Sequence, residues 1–238
     1  MVGTRSYKMV YKTNKGELMD FTFAAIDVGI TDEERQVMLQ EFLSIPADYY
    51  SENPFRGCKI LHIYNGIGIR DVREGTDEGT FKYTDIEPFI ANTKRILEQK
   101  IFSWMDPVGR VNLLRTPAGE GLNVHLDTKE EEIGTRQHKY RIVLNGNIDK
   151  LYFLDSQGNK VYVPQCYSSY VLDGAHPHSL DPGDEEKITL CIGRPWDGNP
   201  TPQYQKLIDN ALFKMKVSRP QVFDERWVDP YFQYTTTK

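Results

Sequence analysis

The sequence predicts a mainly β fold with flanking helices, arranged as an antiparallel sandwich or barrel. The first observation is punctuation. Between about Asp106 and Gly193 the chain falls into seven short apolar runs: VNLLRTP, GLNVHLD, KYRIVLNGN, KLYFLDSQG, NKVYVPQC, SSYVLDG and KITLCIG. Gly, Pro, Asn or Asp separates most of them, and strands at this spacing suit a sandwich or barrel. The second observation is helical periodicity confined to the stretches before and after these runs. The third is length: 238 residues suffice for one good-sized core. One domain is expected over 1–238. Its parts would be a mixed α/β portion (1–105), a β core (106–195) and a C-terminal helix and tail (196–238).

In chain order, Tyr7 to Tyr11 reads as a short strand. Asp32 to Ile45 reads as a helix. Thr31 followed by Glu34 forms a capping box, and the acids of the first turn suit the positive end of the helix dipole. Val37, Met38, Leu39, Phe42 and Leu43 supply its apolar residues. Lys59 to Tyr64 is strand-like. Asp85 to Trp104 has Ile86, Phe89, Ile90, Ile96, Leu97 and Ile101 at roughly helical spacing, with Pro88 in its first turn, and reads as a helix covering a sheet. Asp155 to Asn159 predicts a tight hairpin between KLYFL and KVYVP. After the β-rich part, Gln203 to Lys216 predicts a helix. The aromatic tail beyond it is expected to lie over the surface.

Composition narrows the function classes. The chain is 39% hydrophobic and 26% charged, as in ordinary globular proteins, and its net charge of -5 is spread out. That disfavours holding nucleic acid by bulk attraction to phosphates. No apolar run approaches the ~20 residues that cross a bilayer. The polar N-terminus has no signal-peptide core, and three scattered cysteines (Cys58, Cys166, Cys191) give no disulfide framework, so a cytoplasmic location is expected, with the thiols buried as small hydrophobes. The oligomeric state is left open.

The chemistry gathers in the β-rich part. His125-Leu126-Asp127 stands at a strand end, and residues two apart on a strand share a face. Imidazole and carboxylate therefore converge. A third ligand from a late strand would complete a two-histidine, one-carboxylate face, the arrangement suited to iron(II) with open positions. Gly174-Ala175-His176-Pro177-His178 offers two candidates. Nine residues after His178 comes Lys187, which begins an apolar strand and shares a face with Thr189. A buried lysine needs an anionic partner, and a dicarboxylate is one.

With these residues the chain resembles the 2-oxoglutarate- and iron(II)-dependent oxygenases, whose pattern is HxD, a distal His and a basic residue about ten positions later. The likeness covers about Arg110 to Pro195. KYRIVLNGN followed by HSLDPGDEEKITLCIG looks most like the aspartyl/asparaginyl β-hydroxylase branch, which includes bacterial proline hydroxylases. The resemblance implies a double-stranded β-helix (jelly-roll, cupin-like) core. It implies His125, Asp127 and His178 as iron ligands, with Pro-His-Ser-Leu favouring His178 over His176. Lys187 resembles the residue on the far carboxylate of 2-oxoglutarate, with Thr189 beside it, and Arg141 the residue near the other carboxylate. Lys187 departs from the branch, where arginine is commoner, and lysine is a point charge rather than a fork. The implied activity is a dioxygenase that uses O2 and 2-oxoglutarate, yields succinate, and hydroxylates an amino acid or a peptidyl side chain. The carboxylate of Asp127 points away from halogenation.

Other residues carry two readings each. His176 stands behind the ligands or faces substrate. His138 and Arg136 touch substrate at the mouth or sit solvated at a strand edge. Trp196 borders the pocket or packs. Glu130-Glu131-Glu132 is a solvated loop or a lid. His62, Tyr152 and Phe153 are read as core. Two rival functions stand beside the oxygenase: a zinc hydrolase on a cupin-like fold, and a non-enzymatic jelly-roll module with a vestigial metal site.

Overall fold

The computed structural model describes residues 7–8, 21–53, 57–66, 68, 70, 81–105, 108–127, 138–193 and 201–227. Its strands begin with β1 (Tyr7–Lys8), β2 (Phe23–Ala25), β3 (Ser51–Asn53), β4 (Cys58–Gly66) and β5 (Phe81–Tyr83). They continue with β6 (Val111–Thr116), β7 (His138–Asn145), β8 (Leu151–Leu154), β9 (Lys160–Tyr162) and β10 (Ser169–Asp173). Last come β11 (His178–Leu180), β12 (Lys187–Gly193), β13 (Phe213–Met215) and β14 (Val222–Phe223). The α-helices are α1 (Asp32–Ser44), α2 (Ala91–Leu97) and α3 (Pro202–Asp209).

A large antiparallel sheet runs β13-β2-β10-β7-β12-β6-β4-β3, with β5 added on β4. A small sheet runs β11-β8-β9. The chain passes between the two by turns. β6 lies in the large sheet, and His125 bridges to His178 of the small one. β7 returns to the large sheet, β8 and β9 to the small, then β10, β11 and β12 alternate again. That weaving is a double-stranded β-helix. The central sheet also recruits β2, β3, β4 and β13 from outside the 106–195 segment. β1 and β14 pair separately.

Two apolar clusters follow from strand alternation. On the outer face of the large sheet, Tyr140, Ile142, Val111, Leu113, Ile188, Leu190 and Ile192 pack with residues of α1 and α2. Between the sheets, Phe23, Phe153, Tyr170, Leu172 and Leu180 form the second cluster. On β12 this leaves Lys187, Thr189, Cys191 and Gly193 on the face toward the small sheet. Two glycines permit close approaches near the site. A Cβ on Gly121 would meet Leu180 O at 2.7 Å, so only glycine lets the 121–126 segment reach β11. Gly146 has φ +74, and a Cβ built on it would stand 3.0 Å from Glu186 O and 3.1 Å from the Lys187 Cα, where β7 leaves β12.

α1 starts with the expected capping box: Glu34 N donates to Thr31 Oγ1 and Thr31 N to Glu34 Oε2. Met38, Leu39 and Phe42 are buried, whereas Val37 and Leu43 are exposed. The helix expected over 85–104 is broken. A 3-10 turn (Glu87–Phe89), α2 and a π turn (Glu98–Phe102) follow one another, divided at Ile90 (φ -126, ψ 37). α2 has no cap from its own flank. Glu41 of α1 supplies it, accepting from Asn92 N (2.8 Å), Asn92 Nδ2 (3.0 Å), Thr93 N (2.8 Å) and Thr93 Oγ1 (2.7 Å). The helix expected over 203–216 stops at Asp209, because Phe213–Met215 pairs with β2 and completes the sheet. GLNVHLD forms isolated bridge residues at His125 and Leu126 rather than a strand, His125 pairing with His178. Cys58 and Cys191 are buried, but Cys166 is exposed, and none of the three is in a disulfide. Among the described residues no helix is long and apolar enough to cross a membrane.

Glu41→Ala should remove the cap of α2 and cost about 1–2 kcal/mol. Urea denaturation followed by circular dichroism tests this against Glu52→Ala, which loses only an exposed pair with Lys59 (3.4 Å) and should change stability by under about 0.5 kcal/mol. Equal midpoints for the two variants would show that the long-range cap contributes nothing.

Candidate metal centre

His125 and His178 are cross-strand partners. Each donates its backbone N–H to the other's carbonyl, at 3.0 and 3.1 Å, and their rings lie 4.5 Å apart on one face. Asp127 joins them from two residues further on. Its backbone N–H donates to Gly174 O (2.7 Å), tying the carboxylate to the turn after β10. One ligand atom from each of His125, Asp127 and His178 lies within 4.8 Å of the other two. His125 Nε2 is 3.6 Å from Asp127 Oδ1, and His178 Nε2 is 3.7 Å from Oδ2.

The donor set fits a divalent cation on tautomer grounds. His125 Nδ1–H donates to Asn123 O (2.8 Å) and His178 Nδ1–H to His176 O (2.8 Å). Carbonyls only accept, so each Nε2 is left with its lone pair, as a metal ligand requires. Arg141 Nη2 donates to Asp127 Oδ2 (2.7 Å), favouring the charged carboxylate. Phe153 closes the floor, its ring 5.9 Å from that of His178.

His176 is turned elsewhere. It is 1% exposed, and its Nε2 donates to Leu154 O (2.7 Å). Burial lowers its pKa to about 4, so the ring is neutral at physiological pH. It is a buried strut behind Phe153, with ring centroids 5.5 Å apart. Arg136 and Trp196 lie outside the described residues, as does the Glu130–Glu132 run. The backbone of His138 pairs with Asp173 in β7.

The cations occupy one face of the large sheet. Arg141 is 7% exposed, and its strand neighbours are Cys191 on β12 and Tyr170 on β10. Burial opposes its charge, but Cys191 and Asp127 more than offset this and hold the pKa up. Lys187 lies four residues from Cys191 along β12, about 13 Å by strand rise. Burial depresses its pKa to about 7, against the opposing influence of Cys191, Cys166 and Asp149 and with the help of Arg141. Between the two, Thr189 Oγ1 is buried with no hydrogen-bond partner among the described residues. Asn112 Oδ1, across from Cys191 on β6, is likewise unpartnered. Beyond Lys187, away from the triad, a cavity of about 160 Å³ is lined by Thr116, Asn147, Asp149, Leu180 and Lys187.

Sequence reasoning overlooked two contributors. The carbonyl of Trp227 accepts from Leu126 N (2.8 Å), so this residue of the C-terminal segment is tied directly to the ligand segment. Arg110 also passed unnoticed, although alternation from Val111 places it on the Asn112 face.

No protein-family model matches the chain. No curated protein matches it in sequence. Among solved structures, it is similar to a prolyl-4-hydroxylase from Pseudomonas putida at 16% identity and a TM-score of 0.46, covering 73% of this chain and 92% of that one. It is similar to HygX from Streptomyces hygroscopicus, solved with nickel, 2-oxoglutarate and hygromycin B bound, at 10% identity and a TM-score of 0.49, covering 85% and 94%. It is also similar to a 2OG-Fe(II) oxygenase family oxidoreductase from Burkholderia pseudomallei, at 14% identity and a TM-score of 0.43, covering 71% and 81%.

Cobalt(II) titration should separate the two late histidines. His178→Ala should weaken binding by about a hundredfold or more, whereas His176→Ala should keep affinity within about tenfold because its carbonyl remains. His176→Ala should instead lower the unfolding free energy by about 1–3 kcal/mol, having orphaned Leu154 O. Equal loss of cobalt in both variants would put His176 among the ligands.

Proposed function

We propose that this protein is an iron(II)- and 2-oxoglutarate-dependent dioxygenase that hydroxylates an amino acid or a peptidyl side chain. The observation that carries the reading is the line of Lys187, Thr189 and Arg141 along the inner face, with the triad at one end. A three-ligand centre alone would serve zinc equally well. A buried amine and an unpartnered hydroxyl on the same face as the centre call for an anion reaching from one to the other. Asp173, whose chain neighbour Gly174 accepts from Asp127 N, is engaged by Arg219 and by Ala175 N, which weakens its case as a hydrolase base. Three free thiols fit a cytoplasmic setting.

In this reading His125, Asp127 and His178 hold iron(II). When bound, the metal and cosubstrate supply oxygen activation, with 2-oxoglutarate leaving as succinate and carbon dioxide and one oxygen atom entering the substrate. The chain's own part is electrostatic and geometric. Lys187 and Thr189 fix the distal carboxylate. Arg141 keeps Asp127 ionised and in place. The two Nδ1–H contacts set the direction of both imidazoles. The apolar cluster around Phe153 and Leu172 excludes water from the floor.

The first test needs no substrate. Metal-free protein under anaerobic conditions should develop a visible charge-transfer band with iron(II) and 2-oxoglutarate together. Loss of the band in His178→Ala and a weaker one in Lys187→Ala are expected. No band in the wild type would sink the oxygenase assignment.

Lys187 also sets a pH dependence. Its amine titrates near 7 in the free protein, and a bound carboxylate raises that value. Below neutrality the amine is already charged, and this group adds no pH dependence to binding. Above it, each pH unit should weaken the apparent 2-oxoglutarate affinity by about tenfold until the bound-state pKa is passed. Lys187→Arg should flatten that slope. A slope unchanged in Lys187→Arg would assign the proton to another group.

A further inference from the structure

Past Cys191, the inner face of the large sheet continues to the end of β12. Gly193 closes β12 there, and it is flanked on both sides by cations. Lys139 of β7 is its register partner on one side. On the other, Gly193 N donates to Arg110 O (2.9 Å), and Gly109 N donates to Gly193 O (2.9 Å). Lys139 shares its face with Arg141, and Arg110 shares its face with Asn112. The row is therefore one pleat repeat, about 7 Å, beyond Arg141 and its Asp127 contact. It lies on the far side of the metal ligands from Lys187.

Arg110 is half-buried, and burial pulls its pKa down. Its hydrogen bond is from Nε to Asn65 Oδ1 (2.8 Å), a neutral amide. Among the described residues no carboxylate pairs with it, and its terminal nitrogens keep their donors. A desolvated guanidinium of this kind calls for an anion. The glycine matters as much as the charges. A Cβ built on Gly193 would stand 3.5 Å from Lys139 Nζ and 3.5 Å from Arg110 O, so the absence of a side chain leaves a notch under the ammonium. Two strand spacings separate Lys139 from Arg110, about 10 Å, wide enough for one carboxylate between the two heads.

We infer that the primary substrate is a carboxylic acid whose carboxylate seats over Gly193 between Arg110 and Lys139. This rests on the oxygenase reading and narrows its substrate class. The carboxylate at this end anchors the substrate, while the cosubstrate's distal carboxylate is held six residues away at Lys187. The carbon to be oxidised then falls between the notch and the triad, beside Cys191 and Asn112.

The experiment uses full-length protein loaded with zinc(II) and 2-oxoglutarate, which is redox-inert. Free L-amino acids and their N-acetyl derivatives are each paired with the matching carboxamide, and binding is read by saturation-transfer NMR. Acids should bind in preference to their amides. Arg110→Gln should weaken the best acid by about tenfold or more, and Arg110→Lys should restore part of the loss. Gly193→Ala makes only ordinary contacts, so it should fold as the wild type does by circular dichroism and still weaken the acid by filling the notch. Amides binding as well as acids, no acid in the set binding, or both variants binding like wild type would each overturn the proposal. Binding of 2-oxoglutarate to the wild type is read first, so its failure rejects the reaction assignment separately from the substrate class.

Discussion

Ile188, Leu190 and Ile192 are at most 1% exposed on the outer face of the large sheet, and their burial decides where the charges of β12 go. Each such side chain contributes about 1.5–3 kcal/mol by leaving water. A slip of one residue would turn all three the wrong way. Burial depresses the Lys187 amine well below its ordinary value, which is a cost of the same register. The three apolar residues act together against that single group, and the strand keeps the register that buries them. The functional face is a consequence of the structural one.

The same logic acts on the ligands. His125 and His178 are paired by reciprocal backbone bonds, so neither can shift without the other. Each imidazole then uses Nδ1 on a carbonyl two residues back in its own segment. Tautomer, ring direction and strand register are fixed together by bonds made before any ion arrives. The centre is organised at little further cost in conformational entropy.

Much of this was legible in the sequence because it depends on spacing within one segment. The HxD tripeptide, the two-residue alternation of Lys187 and Thr189, the Thr31–Glu34 box and the Asp155–Asn159 turn are local. What escaped depends on partners far away in the chain. The periodicity of 85–104 gave no hint that Glu41 would cap a new helix at Asn92. Gln203 to Lys216 looked helical throughout because the pairing of Phe213 and Met215 with β2 leaves no local mark. The strand expected at GLNVHLD shrinks to isolated bridge residues because it meets β11 only at Leu122 and His125, while Leu126 and Asp127 donate to Trp227 O and Gly174 O, outside any strand. The resemblance at Pro-His-Ser-Leu favoured His178 over His176, but the physical ground lies in which ring nitrogen each uses, set by Leu154 O in one case and His176 O in the other.

The hydrogen bond from Leu126 to Trp227 joins the middle of the ligand tripeptide to a residue synthesised long after it. During translation the first two ligands leave the ribosome without that support, and the strand pairing from β10 to β12 is still to come. A nascent chain released before Trp227 has every ligand in its sequence but lacks the backbone contact that holds Leu126 between them. Completion of the candidate centre is thereby tied to completion of the fold, because the segment that carries His125 and Asp127 takes its last backbone contact from the far end of the described chain.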